Sequence, residues 1–417
     1  MNTPSASPYK PFANPAKPAA ELIARASAMT EELRSQQDAH DALGTYSEAF
    51  HRAFLDAGFY HIMQPKMFGG IEGSLTTFFR TMIEVSKGHP GVGWCLTLAA
   101  SHPLVVGSHW EEQAQREILT AERYFAAPHS ATPQGTCTVV DGGYRISGIW
   151  RYSSGIPYST HLIGTTLVIG PEGVVPVLFI VPRASFTILD DWGGDRTLGM
   201  QSSGSNSAKL DNVFVPAHHV VPFSSFFAKP EDMRDGTPGT RLHKNPMYLG
   251  RIMGQYHLSL AAPVIGAAFA AIDEFAAMQD KPASVFYFDK KSGDHFDFQR
   301  PLGEAIALTD AAEAIAIASC EKYAELCDRW AADGTPISVE DNLRLWGQAQ
   351  HAGHLACDAV ELLMHSAGPS ATRRGTRLVR YFRDVTMFRT HQSAQRDAFG
   401  TFIGRARLGR PVGVLDL

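Results

Sequence analysis

The hydrophobic pattern of this chain changes period twice, and that double switch limits the available folds more than any single motif does. From Ala19 to about Leu119 apolar residues recur at three- and four-residue steps, through AAELIARASAMTEELRSQQDAHDALG, SEAFHRAFLDAGFYHIM, SLTTFFRTMIEVSKGHPGVGWCLTLAASH and EEQAQREIL, which predicts a helical lobe. Between about Tyr124 and Val221 short β-branched or aromatic runs, such as THLIGTTLVIG and VVPVLFIVPRASFTIL, are broken by Gly, Pro, Asp and Asn, which predicts strands. Asp141-Gly142-Gly143 is a strong hairpin turn, and the even turn spacing without crossover helices favours an antiparallel barrel or sandwich over a parallel sheet. From Pro246 onward the helical period returns in four long segments, the signature of a bundle. The expected class is α+β: a flexible arm over 1–18, an N-terminal helical domain over 19–122, a central antiparallel β-barrel domain over 123–225 and a C-terminal four-helix bundle over 226–417.

Charge and cysteine usage remove several function classes. A net charge of -5 with no long basic run leaves no electrostatic footprint for nucleic acid or for an anionic membrane surface. Five cysteines, Cys95, Cys137, Cys320, Cys327 and Cys357, contain no CxxC pair, so neither a disulfide framework nor a zinc site is indicated, no metal is expected, and a reducing cytoplasm fits. The Pro-, Ala- and Ser-rich start lacks the apolar run of a secretory signal or a membrane span. No GxGxxG follows a strand and no GxxxxGK[ST] occurs, so the usual cradles for a dinucleotide or a nucleoside triphosphate are missing.

The stretch RLVRYFRDVTMFRTHQSAQRD, Arg377 to Asp397, concentrates the candidate chemistry. Leu378, Tyr381, Phe382, Val385 and Phe388 line one helix face, and His391 and Gln392 follow one turn later at its border. A hydrogen-bonded histidine at a helix end is the bland alternative. His102 sits where a helix breaks at Pro103, and His109-Trp110 lie nearby; a surface or core histidine is the default reading of each. The long aromatic loop KPASVFYFDKKSGDHFDF suits a ligand or a partner subunit.

Short signatures then line up in order: Gly148-x-Trp150-x-Tyr152-Ser153-Ser154-Gly155, Leu198-Gly199-Met200-Gln201-Ser202-Ser203-Gly204-Ser205, Val213-Phe214-Val215-Pro216, and Arg383-Asp384. With the lobe, barrel and bundle, they resemble the acyl-CoA dehydrogenase fold over nearly the whole chain. Dehydrogenases of that family carry a proton-abstracting glutamate after the Arg-Asp pair. Here the segment runs Val385 to Thr390 and then His391-Gln392, with no carboxylate before Asp397. A neutral amide cannot remove a weakly acidic C–H proton. Histidine at this place, with the Ser-Ser-Gly turn, is similar instead to the flavin-dependent monooxygenases on the same fold, the oxygenase components of two-component systems of the 4-hydroxyphenylacetate 3-hydroxylase type.

That resemblance implies reduced FAD, or reduced FMN, delivered by a separate flavin reductase, with dioxygen as co-substrate. It implies a C4a-hydroperoxyflavin that oxygenates a small phenol- or indole-like substrate, as in aromatic catabolism. By the same resemblance Ser154, with Ser153, meets flavin N5 beside Tyr152, and His391 supplies a proton or a positive dipole while Gln392 orients. His102 is favoured over His129 for polarising the substrate, with His129 over the flavin ring. Ser202, Ser203 and Ser205 take the phosphate end, with Arg251, Lys290, Arg373 or Arg374 for charge. Phe298 and Gln299, beside Phe296, match the region that touches a neighbouring subunit's adenine, which implies FAD and a homotetramer; Ser366-Ala367-Gly368 departs from the family's Gly-Gly pair and keeps FMN open. Trp110, with Trp94, Phe286 and Phe288, is a candidate wall for a flat ring. A dehydrogenase or oxidase with a displaced base, and a non-catalytic homologue, are the competing readings.

Overall fold

Helices form where the sequence supplies both an amphipathic period and an end signal. In the computed structural model the described residues are 19–120, 123–170, 173–223, 234–251, 253–280 and 291–412. The arm over 1–18 lies outside them, as do Phe286, Phe288 and Lys290. The first lobe runs α1 (Ala19–Ala28), α2 (Thr30–Ser35), α3 (Gln37–Leu43), α4 (Glu48–Ala57), α5 (Leu75–Gly88), α6 (Pro90–Ala100), α7 (Pro103–His109) and α8 (Glu112–Ile118). Ser47 starts α4 by accepting from the Phe50 N–H at 3.3 Å, and Gly58 closes it at φ +87°. Pro90 and Pro103 open α6 and α7, where a missing N–H costs nothing.

The strand region forms two four-stranded sheets. One has the order β1 (His129–Ser130), β4 (His161–Gly170), β5 (Gly173–Pro182), β8 (Val220–Pro222). The other has the order β2 (Thr136–Val140), β3 (Gly143–Trp150), β7 (Ala208–Pro216), β6 (Thr187–Ile188). The expected hairpin joins β2 to β3 with Val140 opposite Gly143 and Gly142 at φ +73°. Among the described residues every pairing is antiparallel except the short β1–β4 pair, which is parallel. Trp150, Leu162, Phe179 and Leu210 fill the space between the sheets, and Trp150 Nε1 donates to the Thr165 carbonyl at 2.9 Å.

The second helical region contains α9 (Pro238–His243) and the long α10 (Met253–Ala277), α11 (Phe296–Asp333), α12 (Val339–Ser366) and α13 (Arg377–Thr390), then α14 (Arg396–Arg407). α10 packs against α5, α6, α11, α12 and α13, so it is apolar all round. At its closest approach to α5 a Cβ on Gly266 would sit 2.4 Å from Ser86 Cβ, so only glycine fits. One apolar core runs through both helical regions and touches the sheets at Ile163, Leu178 and Ile180. The loops and helix ends around that core's rim carry the candidate site.

Candidate active site

A cavity of about 580 Å³ opens between α6, the turn after β3, the loop before β7 and the far end of α13. That size suits a ring-shaped ligand. Trp94 and Leu98 come from α6, Tyr152 and Ser154 from the turn, Met200, Ser203 and Ser205 from the loop, and His391, Gln392 and Ser393 from beyond α13. His129 and Tyr256, with ring centroids 5.6 Å apart, also line the cavity.

The turn sorts its two serines to opposite sides. Tyr152 takes a positive φ of 55°, and Gly155 takes 90°. The Gly155 N–H then reaches the Ser203 and Gly204 carbonyls, each at 3.1 Å, and a Cβ there would meet the Cys95 carbonyl at 2.7 Å. Ser153, fully buried, turns inward and donates to the Trp150 carbonyl at 3.1 Å. Ser154 faces the cavity, 2.7 Å from the Ser205 hydroxyl, which lies 2.6 Å from that of Ser203. The Trp94 indole N–H donates to Ser154 at 3.2 Å, so the hydroxyl's own proton is directed away from Trp94, along the serine chain or into the cavity.

His391 is the residue at which α13 stops, with extended backbone, and its ring centroid lies 6.1 Å from that of Trp94. Its Nδ1 accepts from the Ser393 N–H at 3.2 Å, which leaves the ring proton on Nε2. Burial among protein atoms pushes its pKa down to about 4, so near neutral pH the ring is a neutral N–H donor. Burial, and then the neighbouring His102, hold His129 well below the ordinary histidine range, and its Nε2 lies 3.3 Å from the Thr165 hydroxyl.

Arg383-Asp384 works from behind the loop. Asp384 Oδ1 accepts from the Met200 N–H at 2.6 Å, and a Cβ on Gly199 would strike the Arg383 carbonyl at 2.3 Å. Burial, reinforced by the charge of Asp41, raises the Asp384 carboxyl. Arg380 Nε donates to Asp41 Oδ2 at 2.9 Å and its Nη1 donates to Gln37 Oε1 at 2.9 Å, tying α13 to α3.

Several expected residues stand elsewhere. His102 is buried at 2% exposure behind His129 and Tyr256, with ring centroids 5.8 and 6.0 Å away; its Nδ1 is spent on the Ala127 carbonyl at 2.7 Å, so His129 is the histidine of that pair that lines the cavity. Trp110 caps α7 inside the core and lines no part of the cavity. Ser202 is buried 3.1 Å from His89, and Ser203 and Ser205 join the hydroxyl chain of Ser154, so the trio expected at the phosphate end lies instead beside the residue expected at N5. Arg251 is buried away from the cavity, Arg373 is exposed, and Arg374 pairs with Asp195 at 2.8 Å. Phe298 and Gln299 lie in the first turn of α11, where Gln299 donates to the Gly293 carbonyl at 2.9 Å, and neither reaches this chain's cavity.

Sequence reasoning missed Arg151, Trp192 and Tyr256, which line the cavity. Arg151 was within sight, inside the Trp150-x-Tyr152 signature, whereas Tyr256 lies in the first turn of the apolar helix α10 and reads as core. Hydroxyls, one guanidinium and indole walls from Trp94 and Trp192 are a donor set that fits an isoalloxazine ring with its polar edge on the serines. Among the described residues no Asp or Glu lines the cavity, so a displaced proton-abstracting carboxylate is not found there.

The family described as "Acyl-CoA dehydrogenase, C-terminal domain" matches residues 258–396. A "Pigment production hydroxylase" of Rhodococcus sp. (strain ATCC 21145) is 30% identical over 368 residues, covering 86% of this chain and 88% of that protein. The "FADH(2)-dependent resorcinol hydroxylase, oxygenase component" of Rhizobium sp. (strain MTP-10005) is 25% identical, covering 94% and 95%. The crystal structure of 3-HSA hydroxylase from Rhodococcus sp. RHA1 superposes with a TM-score of 0.84 at 24% identity, covering 95% of this chain and 99% of that one.

Proposed function

The chain belongs to the flavin-dependent monooxygenases built on the acyl-CoA dehydrogenase fold, as the oxygenase component of a two-component system, and from that premise we propose how its cavity divides the work. It uses reduced FAD or FMN supplied by a separate reductase and hydroxylates an aromatic substrate. The finer reading is a small phenol- or indole-like substrate, oxygenated between the serine chain and His391.

Bound reduced flavin supplies the electrons that let dioxygen deliver one oxygen atom to the ring. The chain's residues do the rest. Ser154, fixed by the Trp94 N–H, holds a hydroxyl at the flavin N5 edge, and Ser205 and Ser203 continue that line of hydroxyls. His391 presents the Nε2 proton toward the oxygen-reacting side, with Gln392 beside it. His129 accepts from, or polarises, the substrate's O–H or N–H, and the Tyr256, Leu98 and Leu260 wall keeps water out. Arg151 is the guanidinium available to the flavin's anionic end. The reading includes a homotetramer, supported by Phe296, which is 64% exposed at the start of α11 and free to meet another subunit, and by the placement of Phe298 and Gln299 beside it. Light scattering at about four times the 45.4 kDa chain mass is the expected result, and a monomer mass would remove that part. A cytoplasmic location is carried with it, supported by five free thiols.

The observation that carries the reading is the meeting of a Trp-held serine hydroxyl and a neutral histidine around one cavity. Its test is rapid mixing of anaerobic protein with reduced FAD or FMN against oxygenated buffer. The expected result is a long-lived near-ultraviolet absorbance distinct from oxidised flavin; oxidised flavin returning at the rate of free flavin would overturn it.

A further inference from the structure

A second cluster of donor atoms lies outside the cavity, on the seam between the first helical lobe and the sheets. Glu117, near the end of α8, meets His218 and His219, which form the short 3-10 turn Ala217–His219 between β7 and β8. His218 Nε2 is 2.9 Å and His219 Nε2 is 2.8 Å from the same carboxylate oxygen, Glu117 Oε2. The three candidate ligand atoms all lie within 4.8 Å of one another. The two imidazoles stand at 79° with centroids 4.6 Å apart, so their nitrogens approach from different directions, as ligands around a tetrahedral ion do.

The surroundings orient these groups as the outer contacts of a metal site would. Gln113, one turn earlier on α8, donates to Glu117 Oε1 at 3.2 Å, the carboxylate oxygen that the two imidazoles do not touch. An Nε2 that carries a proton can donate it to Glu117 Oε2, and a metal ion would displace such protons and take the same three atoms as ligands. Two imidazole nitrogens and one carboxylate oxygen suit Zn²⁺ and its transition-metal neighbours, whereas Mg²⁺ and Ca²⁺ prefer oxygen alone. Metal–ligand distances of about 2.0–2.2 Å require the three atoms to part slightly. The Glu117 side chain, 45% exposed, has the freedom to do so, and a water completes the set.

We propose that Glu117, His218 and His219 bind a divalent transition metal, zinc being the best chemical match, and that the ion clasps α8 to the turn between β7 and β8. None of the three lines the flavin cavity, so the site acts on stability and on the seam, with no part in oxygen transfer.

The full-length protein, stripped with EDTA and desalted, is titrated with ZnCl₂ in competition with a chromophoric chelator, and its thermal unfolding is followed with and without the metal. One equivalent of Zn²⁺ and a rise in Tm of about 2 °C or more are expected, with no such rise in Mg²⁺. Both effects disappear in His218→Ala and in the conservative Glu117→Gln, and both persist in His391→Ala, which separates this site from the cavity histidines. Wild type with no metal-dependent rise, or wild type and Glu117→Gln binding the same number of equivalents, would overturn the proposal.

Discussion

At the residue scale the site depends on where single protons sit. The Ser393 N–H fixes His391 as the Nε2–H tautomer and burial keeps it neutral, so it can donate without first capturing a proton. His391→Ala is expected to leave the fold and flavin binding intact while product formed per oxygen consumed falls about tenfold or more. Ser154→Ala is expected to raise peroxide release in the same assay. Ser153→Ala instead loses a buried hydrogen bond, lowering stability by about 1 kcal/mol with coupling unchanged. Peroxide measured alongside product in the three variants checks this; wild-type coupling in both Ser154→Ala and His391→Ala would remove their assigned roles. Neighbours in sequence face opposite sides here because a turn with two positive-φ residues rotates successive side chains apart.

At the element scale the loop between β6 and β7 is held from outside by α13. Asp384 takes the Met200 N–H, and the Gly199 backbone lies against the Arg383 carbonyl, so the loop that presents Ser203 and Ser205 is placed by a helix far along the chain. Asp384→Ala leaves a buried N–H without an acceptor, at a cost of about 1–3 kcal/mol. It is expected to weaken flavin binding more than Asp384→Asn, which keeps an acceptor oxygen. Flavin fluorescence titration with urea unfolding of both variants decides it, and equal flavin affinity in Asp384→Ala and wild type would show that the clamp does not shape the site. The Arg-Asp pair was legible in the sequence as a family signature, but its target, a backbone N–H nearly two hundred residues earlier, was not.

At the scale of the whole molecule the buried histidines set the response to acid. Burial pushes His102 and His109 down to about 4, and His161 and His257 to about 3. Their unfolded values lie near 6.5, so between pH 6.5 and about 4 the unfolded chain binds protons that the folded chain refuses. Stability from these groups is complete above pH 6.5 and is lost as pH falls, each imidazole contributing roughly 1.4 kcal/mol per pH unit within that interval. Asp384, raised by burial, acts in the opposite sense but is a single group. Tm is expected to be flat from pH 7 to 8 and to fall steeply below 6.5. A Tm unchanged down to pH 5 would mean that these rings gain protons in the folded state as easily as in the unfolded one.

The sequence by itself determined the order of helical lobe, strand region and helical bundle, because the spacing of apolar residues is a local property of the chain. It also determined that no carboxylate follows Arg383-Asp384 before Asp397 and that a histidine stands there instead. Only the tertiary structure decided which of two adjacent serines faces the cavity, that His129 and not His102 lines it, that Trp110 is core, and that Tyr256 and Arg151 belong to the site. It likewise brought Glu117 beside His218 and His219 across about a hundred positions. The direction in which a side chain points, and what meets it, follow from turns and packing between distant segments, and periodicity along the chain carries no record of either.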